Sequence, residues 1–188
     1  MERTHIATSR RWHAGLAAAV CAVSVLILPM APEARAYATE GCRWRSGGVT
    51  YQNHMTGGAV TPSANALANW TNATVITFIA QSNPDFSMNN GGYGATGWSG
   101  LTTYRCSGGY FLKGTLVQMN SYYTSAYTAN KKQSVIAHEL GHVIGLAHRS
   151  TSGCSGRSLM YPYDDGRYDS CGIYKVQPDD ASGAAAIY

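Results

Sequence analysis

Three histidines and a glutamate stand in one short run, His138-Glu139-Leu140-Gly141-His142-Val143-Ile144-Gly145-Leu146-Ala147-His148, and their spacing demands a helix that stops before its last member. Residues four apart on an α-helix lie one above the other on the same face. His138 and His142 can therefore aim ring nitrogens at a single metal ion. Glu139 is rotated by roughly a third of a turn, which leaves its carboxylate free to reach a water beside the ion rather than to bind it. His148 can join the pair only if the helix ends first. Gly145, lacking a Cβ, can take the left-handed conformation that closes a helix and turns the chain back. Three imidazoles with an open fourth position and an unligated carboxylate are what a hydrolytic zinc centre requires. The metal ligands are thus read as His138, His142 and His148 of one catalytic Zn2+, with Glu139 as general base. His54 has no partner at ligand spacing and is read as a surface or hydrogen-bonding residue.

The amino-terminal residues are read apart from the fold. Arg3, Arg10 and Arg11 precede an apolar stretch from Gly15 to Leu28, and small residues follow. This is the pattern of a secretory signal peptide. It is assigned to residues 1–38, with cleavage after Ala36 or Ala38, leaving residues 39–188 as a single domain. Ser9-Arg10-Arg11 partly resembles a twin-arginine signal, but Trp12-His13 continue it poorly, so ordinary secretion is expected. The apolar stretch is broken by Pro29 and falls short of the roughly twenty residues that span a bilayer. No membrane association is expected once the leader is gone.

Cys42, Cys106, Cys154 and Cys171 remain as an even set in a chain read as secreted and extracellular, which favours two disulfides. The preferred pairing is Cys42 with Cys106 and Cys154 with Cys171, the second closing a short loop. Lys and Arg number 14 against 10 Asp and Glu. Their positions are scattered, with only Lys131-Lys132 adjacent, so no nucleic-acid partner is expected. A monomer acting on protein or peptide is expected.

Along the domain, Trp44, Val49 and Tyr51 suit a first strand ended by Gly57-Gly58. A helix follows, capped by Thr61 or Ser63 with Pro62 in its first turn, and with Ala64, Ala66, Leu67, Ala68 and Trp70 inside it. Val75 to Ile79 is a β-branched run expected to form the best buried strand. Ser87 to Gly100, rich in Gly and Asn, is expected as a loop, and Leu101–Tyr104 and Thr115–Asn120 as strands. Asn130, with Gln133 three residues on, is expected to cap the histidine-bearing helix, whose Ile136, Leu140 and Val143 face the sheet. Pro178-Asp179-Asp180 opens a last helix running to Ile187.

At these residues the chain resembles the metzincin zinc metallopeptidases, whose motif H-E-x-x-H-x-x-G-x-x-H is followed by a methionine-bearing turn. Ser158-Leu159-Met160-Tyr161-Pro162 looks like that turn, and the closing Gln177-Pro178-Asp179-Asp180 before a helix is most similar to the matrixin branch. The resemblance implies an α+β fold: a metzincin-like zincin catalytic domain with a twisted mixed sheet of about four to five strands, an active-site helix, a Met-turn and a C-terminal helix. It implies that Met160 forms an apolar floor beneath the metal without binding it. It also implies that Tyr161, Pro162 and Tyr163 wall the substrate pocket, while Gly145 and Met160 act as structural support. The function implied is a secreted zinc-dependent endopeptidase of the bacterial type.

The chain departs from the family pattern in three places. No cysteine-switch propeptide is evident, because almost nothing separates the leader from Cys42. Pro162 stands where other branches place a tyrosine after the methionine. Acidic clusters for calcium are thin, Asp164-Asp165 being a weak candidate. The competing class is an exported, non-catalytic binding or adhesion module stabilised by zinc. A structural site normally completes four protein ligands, and no fourth is evident in the sequence.

Overall fold

Residues 37–188 are described by a computed structural model. Of the expected leader only Tyr37 and Ala38 fall within it; Arg3, Arg10, Arg11 and the apolar stretch lie outside the described residues. The elements run β1 (Ala38–Thr39), β2 (Gly48–His54), α1 (Val60–Ala73), β3 (Thr77–Ala80), β4 (Phe86–Gly91), β5 (Gly100–Thr103), β6 (Cys106–Ser107), β7 (Tyr110–Phe111), β8 (Thr115–Asn120), α2 (Ser121–Thr124), α3 (Ala129–Val143), β9 (Leu146–Ala147) and α4 (Pro178–Ile187).

Five strands form one mixed sheet in the order β3-β2-β4-β8-β5. The first four are parallel, and β5 closes the edge antiparallel to β8. Parallel neighbours need a crossover between them, which α1 supplies between β2 and β3. Buried Pro62, Ala66, Leu67 and Trp70 mark the face of α1 that turns inward. α3 packs against α1 and against β5 and β8. It is therefore buried without a break from Gln133 to Gly141, rather than on the single face that Ile136, Leu140 and Val143 suggest. Two indoles hold it: Trp70 Nε1 donates to the Ala137 carbonyl at 2.9 Å, and Trp44 Nε1 to that of Val143 at 2.8 Å.

The sheet corrects three expectations. The run from Val75 to Ile79 is not the best buried strand, because β3 lies at the sheet edge; Val75 is 55% and Ile79 48% exposed, and only Ile76 is fully buried. Residues 86–91 are a strand, not a loop. β4 sits between β2 and β8, burying Phe86 and Met88, while the Asn89 and Asn90 side chains accept hydrogen bonds from the Tyr93 hydroxyl and the Thr56 amide. Those bonds remove the penalty that makes asparagine rare inside strands. The helix caps also move. α1 begins earlier, after a 3-10 turn over Gly57–Ala59, with Ala59 rather than Thr61 or Ser63 at the cap position. Thr128, not Asn130, caps α3, accepting from the Lys131 amide at 3.2 Å, and Gln133 instead donates to the Tyr174 carbonyl.

The first long strand starts at Gly48 and leaves Trp44 outside it, while the strands expected near Leu101 and Thr115 and the last helix are present. Leu101 and Thr115 lie in strands, Pro178 opens α4, and Gln177 and Asp180 form its capping box. Cys42 is bonded to Cys106, and Cys154 to Cys171. Among the described residues no helix is long and apolar enough to cross a membrane.

Candidate metal centre

His138 and His142 project from the last turns of α3, which ends at Val143. Gly145 then takes φ +95°, the left-handed backbone that an L side chain resists. Its Cα also lies so close to the Cys42 carbonyl that a Cβ would collide with it. The chain reverses there, pairs as β9 with β1, and delivers His148 to the other two rings.

The three Nε2 atoms form a triangle with edges of 3.1, 3.1 and 3.2 Å. Tetrahedral zinc with Zn–N bonds of about 2.0–2.1 Å places its nitrogens ~3.3 Å apart, so the residues fit the ion. The far sides of two rings fix their tautomers. His138 Nδ1 lies 2.8 Å from the Leu159 carbonyl; His142 Nδ1 lies 2.9 Å from the Leu146 carbonyl and 3.0 Å from Glu40 Oε1. Acceptors there require the proton on Nδ1, which leaves Nε2 free to bind metal. Burial holds His138 well below the usual imidazole range, aided by the charges of Arg167 and His142. For His142 burial acts in the same direction, but the Glu40 hydrogen bond and the Glu139 and Glu40 charges outweigh it and raise the ring.

Glu139 is buried beside the cluster, and Thr102 Oγ1 donates to its Oε2 at 2.8 Å and to its carbonyl at 3.0 Å. Burial raises its carboxyl above the ordinary value against the opposing influence of His142 and Thr102. Strand β5 passes close because Gly100 has no side chain: a Cβ there would stand 2.6 Å from Glu139 Oε1. A cleft of about 210 Å³ opens here, lined by Glu40, Gly100, Leu101, Thr102, Tyr104, Glu139, His142 and His148. Hollows of 480 and 620 Å³ lie elsewhere and are lined by none of the three histidines.

The turn bearing Met160 packs against the histidine-bearing helix. Met160 is buried with its sulfur against Gly141, on the helical turn between His138 and His142. Asp180 fastens that turn to α4, accepting from the amides of Leu159 at 2.9 Å and Gln177 at 2.8 Å, and more weakly from that of Met160. Tyr161 lies beneath the Arg157 guanidinium, 3.9 Å from its ring centroid, and Tyr163 is 67% exposed. Tyr161, Pro162 and Tyr163 do not line the cleft beside the histidines. His54 lies apart, with Nε2 3.3 Å from Gln52 Oε1. The Asp164 carboxylate is engaged by the Tyr127 hydroxyl and the Asp165 amide.

Sequence reading missed Glu40, Gly100, Thr102 and Tyr104. None lies near the histidine motif in the chain, and a lone glutamate, threonine or glycine has no periodicity to betray it.

The family model for matrixins matches residues 98–188, a span that takes in the three histidines, Glu139 and Met160. A search of curated proteins finds no match to the chain. Over that span the chain is similar to the matrixins, and the convergent imidazoles are consistent with a matrixin-like metzincin, a family of zinc metallopeptidases.

Proposed function

We propose that this is a secreted zinc endopeptidase in which Glu139 is the general base for peptide-bond hydrolysis. The observation that supports it most directly is the Nε2 triangle of His138, His142 and His148 with a buried, unligated glutamate at its side. Zinc held by those nitrogens supplies Lewis acidity, which brings the ionisation of a water towards neutrality and polarises a carbonyl. Glu139 takes the proton of the attacking water and returns it to the leaving amine. Its burial raises its proton affinity above that of an ordinary carboxylate, the direction that favours taking up the proton. Thr102 holds one carboxylate oxygen, leaving the other for the proton. Met160 provides the apolar floor.

Among the described residues strand β5 is paired on one side only, so that edge offers main-chain groups to an extended peptide in the manner of strand addition. Secretion is supported by the leader-like sequence and by two disulfides. The pairing of Ala38 with Ala147 in β1 supports processing after Ala36 over processing after Ala38.

Glu139→Gln keeps the side chain's shape and removes the base. The variant is expected to bind one zinc per chain and leave casein uncut. Cleavage at the wild-type rate by the zinc-loaded variant would overturn the assignment.

A further inference from the structure

Glu40 lies far from the histidine motif in sequence, yet its carboxylate touches the motif's second ring. Its backbone is fixed on both sides. Thr39 pairs with Leu146, the Glu40 amide donates to the Gly145 carbonyl at 2.8 Å, and Cys42 is tied to Cys106 two residues later. The side chain is fixed as well. Oε1 meets His142 Nδ1 at 3.0 Å, while Oε2 accepts from the Tyr104 hydroxyl at 2.8 Å. The Tyr104 ring is itself set edge-on against Phe111, with centroids 5.0 Å apart. Each carboxylate oxygen thus has one assigned donor, and its donors come from α3 and from the segment following β5.

We infer that Glu40 is a positioning residue for the metal centre: with Tyr104 it orients the His142 imidazole and strengthens its hold on the zinc. The inference rests on the zinc reading above and extends it to a residue outside the family motif. Two physical effects separate Glu40 from the Leu146 carbonyl, which also faces His142 Nδ1 at 2.9 Å. A carboxylate carries a full negative charge, so it makes the imidazole a more basic ligand and offsets part of the ion's double charge, which three neutral rings leave uncompensated. It also holds the ring against rotation on the side open to the cleft.

The test is zinc affinity, measured by chelator competition on the purified protein, together with the visible spectrum of the cobalt-loaded form. Glu40→Ala should weaken zinc binding by about 10- to 100-fold, the range for loss of an outer partner of a ligand. Glu40→Gln, which preserves an acceptor but not the charge, should fall between wild type and alanine. Tyr104→Phe should weaken binding less than Glu40→Ala, and the double variant should bind no more weakly than Glu40→Ala alone, because the tyrosine acts only through the carboxylate. The cobalt spectrum of Glu40→Ala should change shape, which a loss of stability alone does not produce. Zinc affinity within twofold of wild type in Glu40→Ala, or strictly additive losses in the double variant, would overturn the inference. Wild-type protein that binds no zinc would instead bring down the metal centre itself.

Discussion

The sulfur of Met160 occupies the space where a β-carbon on Gly141 would stand. Gly141 lies on α3 between His138 and His142, so this contact lets the Met-turn press against the turn that bears both ligands. On an exposed helix, Gly→Ala adds about 1 kcal/mol of stability. Here the sign should reverse. Gly141→Ala is expected to cost about 1–3 kcal/mol through overpacking and to weaken zinc binding, with Met160→Ala restoring part of the loss. Urea unfolding of the two single variants and the double variant measures this; a stabilised Gly141→Ala would refute the contact.

The metal should contribute to stability as well as chemistry, because the three imidazoles converge only in the folded chain. Zinc at a hundred times its dissociation constant adds about 2.7 kcal/mol. Chelation should then lower Tm by roughly 5–10 °C for a domain of this size, and zinc should restore it. Calorimetry with and without chelator is the check, and an unchanged Tm would contradict a centre assembled by folding.

Gly100 gives Glu139, the proposed base, room beside the edge strand. Gly100→Ala would place a Cβ 2.6 Å from Glu139 Oε1 and 2.7 Å from Val135 Cγ1, forcing β5 or the glutamate to shift. Misplacement of a reacting group by about 1 Å costs on the order of 100-fold in rate. The expected result is a loss of about 10- to 100-fold in kcat/KM with zinc content intact. Equal loss of zinc would mean that the contact supports the ligands rather than the base.

Burial raises the Asp180 carboxyl to about 6, helped by the neighbouring Asp179 charge, although the amides of Leu159, Gln177 and Met160 favour the charged form. A carboxyl whose pKa is higher folded than unfolded stabilises the fold when protonated. That contribution is full below the ordinary value of 3.8 and is lost as pH rises through about 6. Relative to Asp180→Asn, wild-type stability should therefore fall by roughly 2–3 kcal/mol between pH 4 and 7. Denaturant titrations at several pH values test the slope; parallel curves for the two proteins would contradict it.

His138, Glu139, His142, Gly145 and His148 were legible in the sequence because their relations are local. Helical geometry fixes which residues share a face, and a glycine permits the turn that brings back the third ring. The last helix was legible for the same reason: its proline and acidic first turn act within a few residues. Burial of β3 was not. A β-branched run reports a preference for extended backbone, while its place at the sheet edge depends on which strands pair with it. Asn89 and Asn90 look like loop residues until Tyr93 and Thr56 are seen to satisfy them. Glu40 and Tyr104 reach the metal centre only because β1 pairs with β9 and the cleft wall folds over α3. Sequence alone thus picked out the three histidines that converge and the glutamate proposed as base, through spacings that are local to one helix and the turn after it. Tertiary structure alone decided which distant side chains orient those groups, since a hydrogen bond across the fold leaves no periodic trace in the chain.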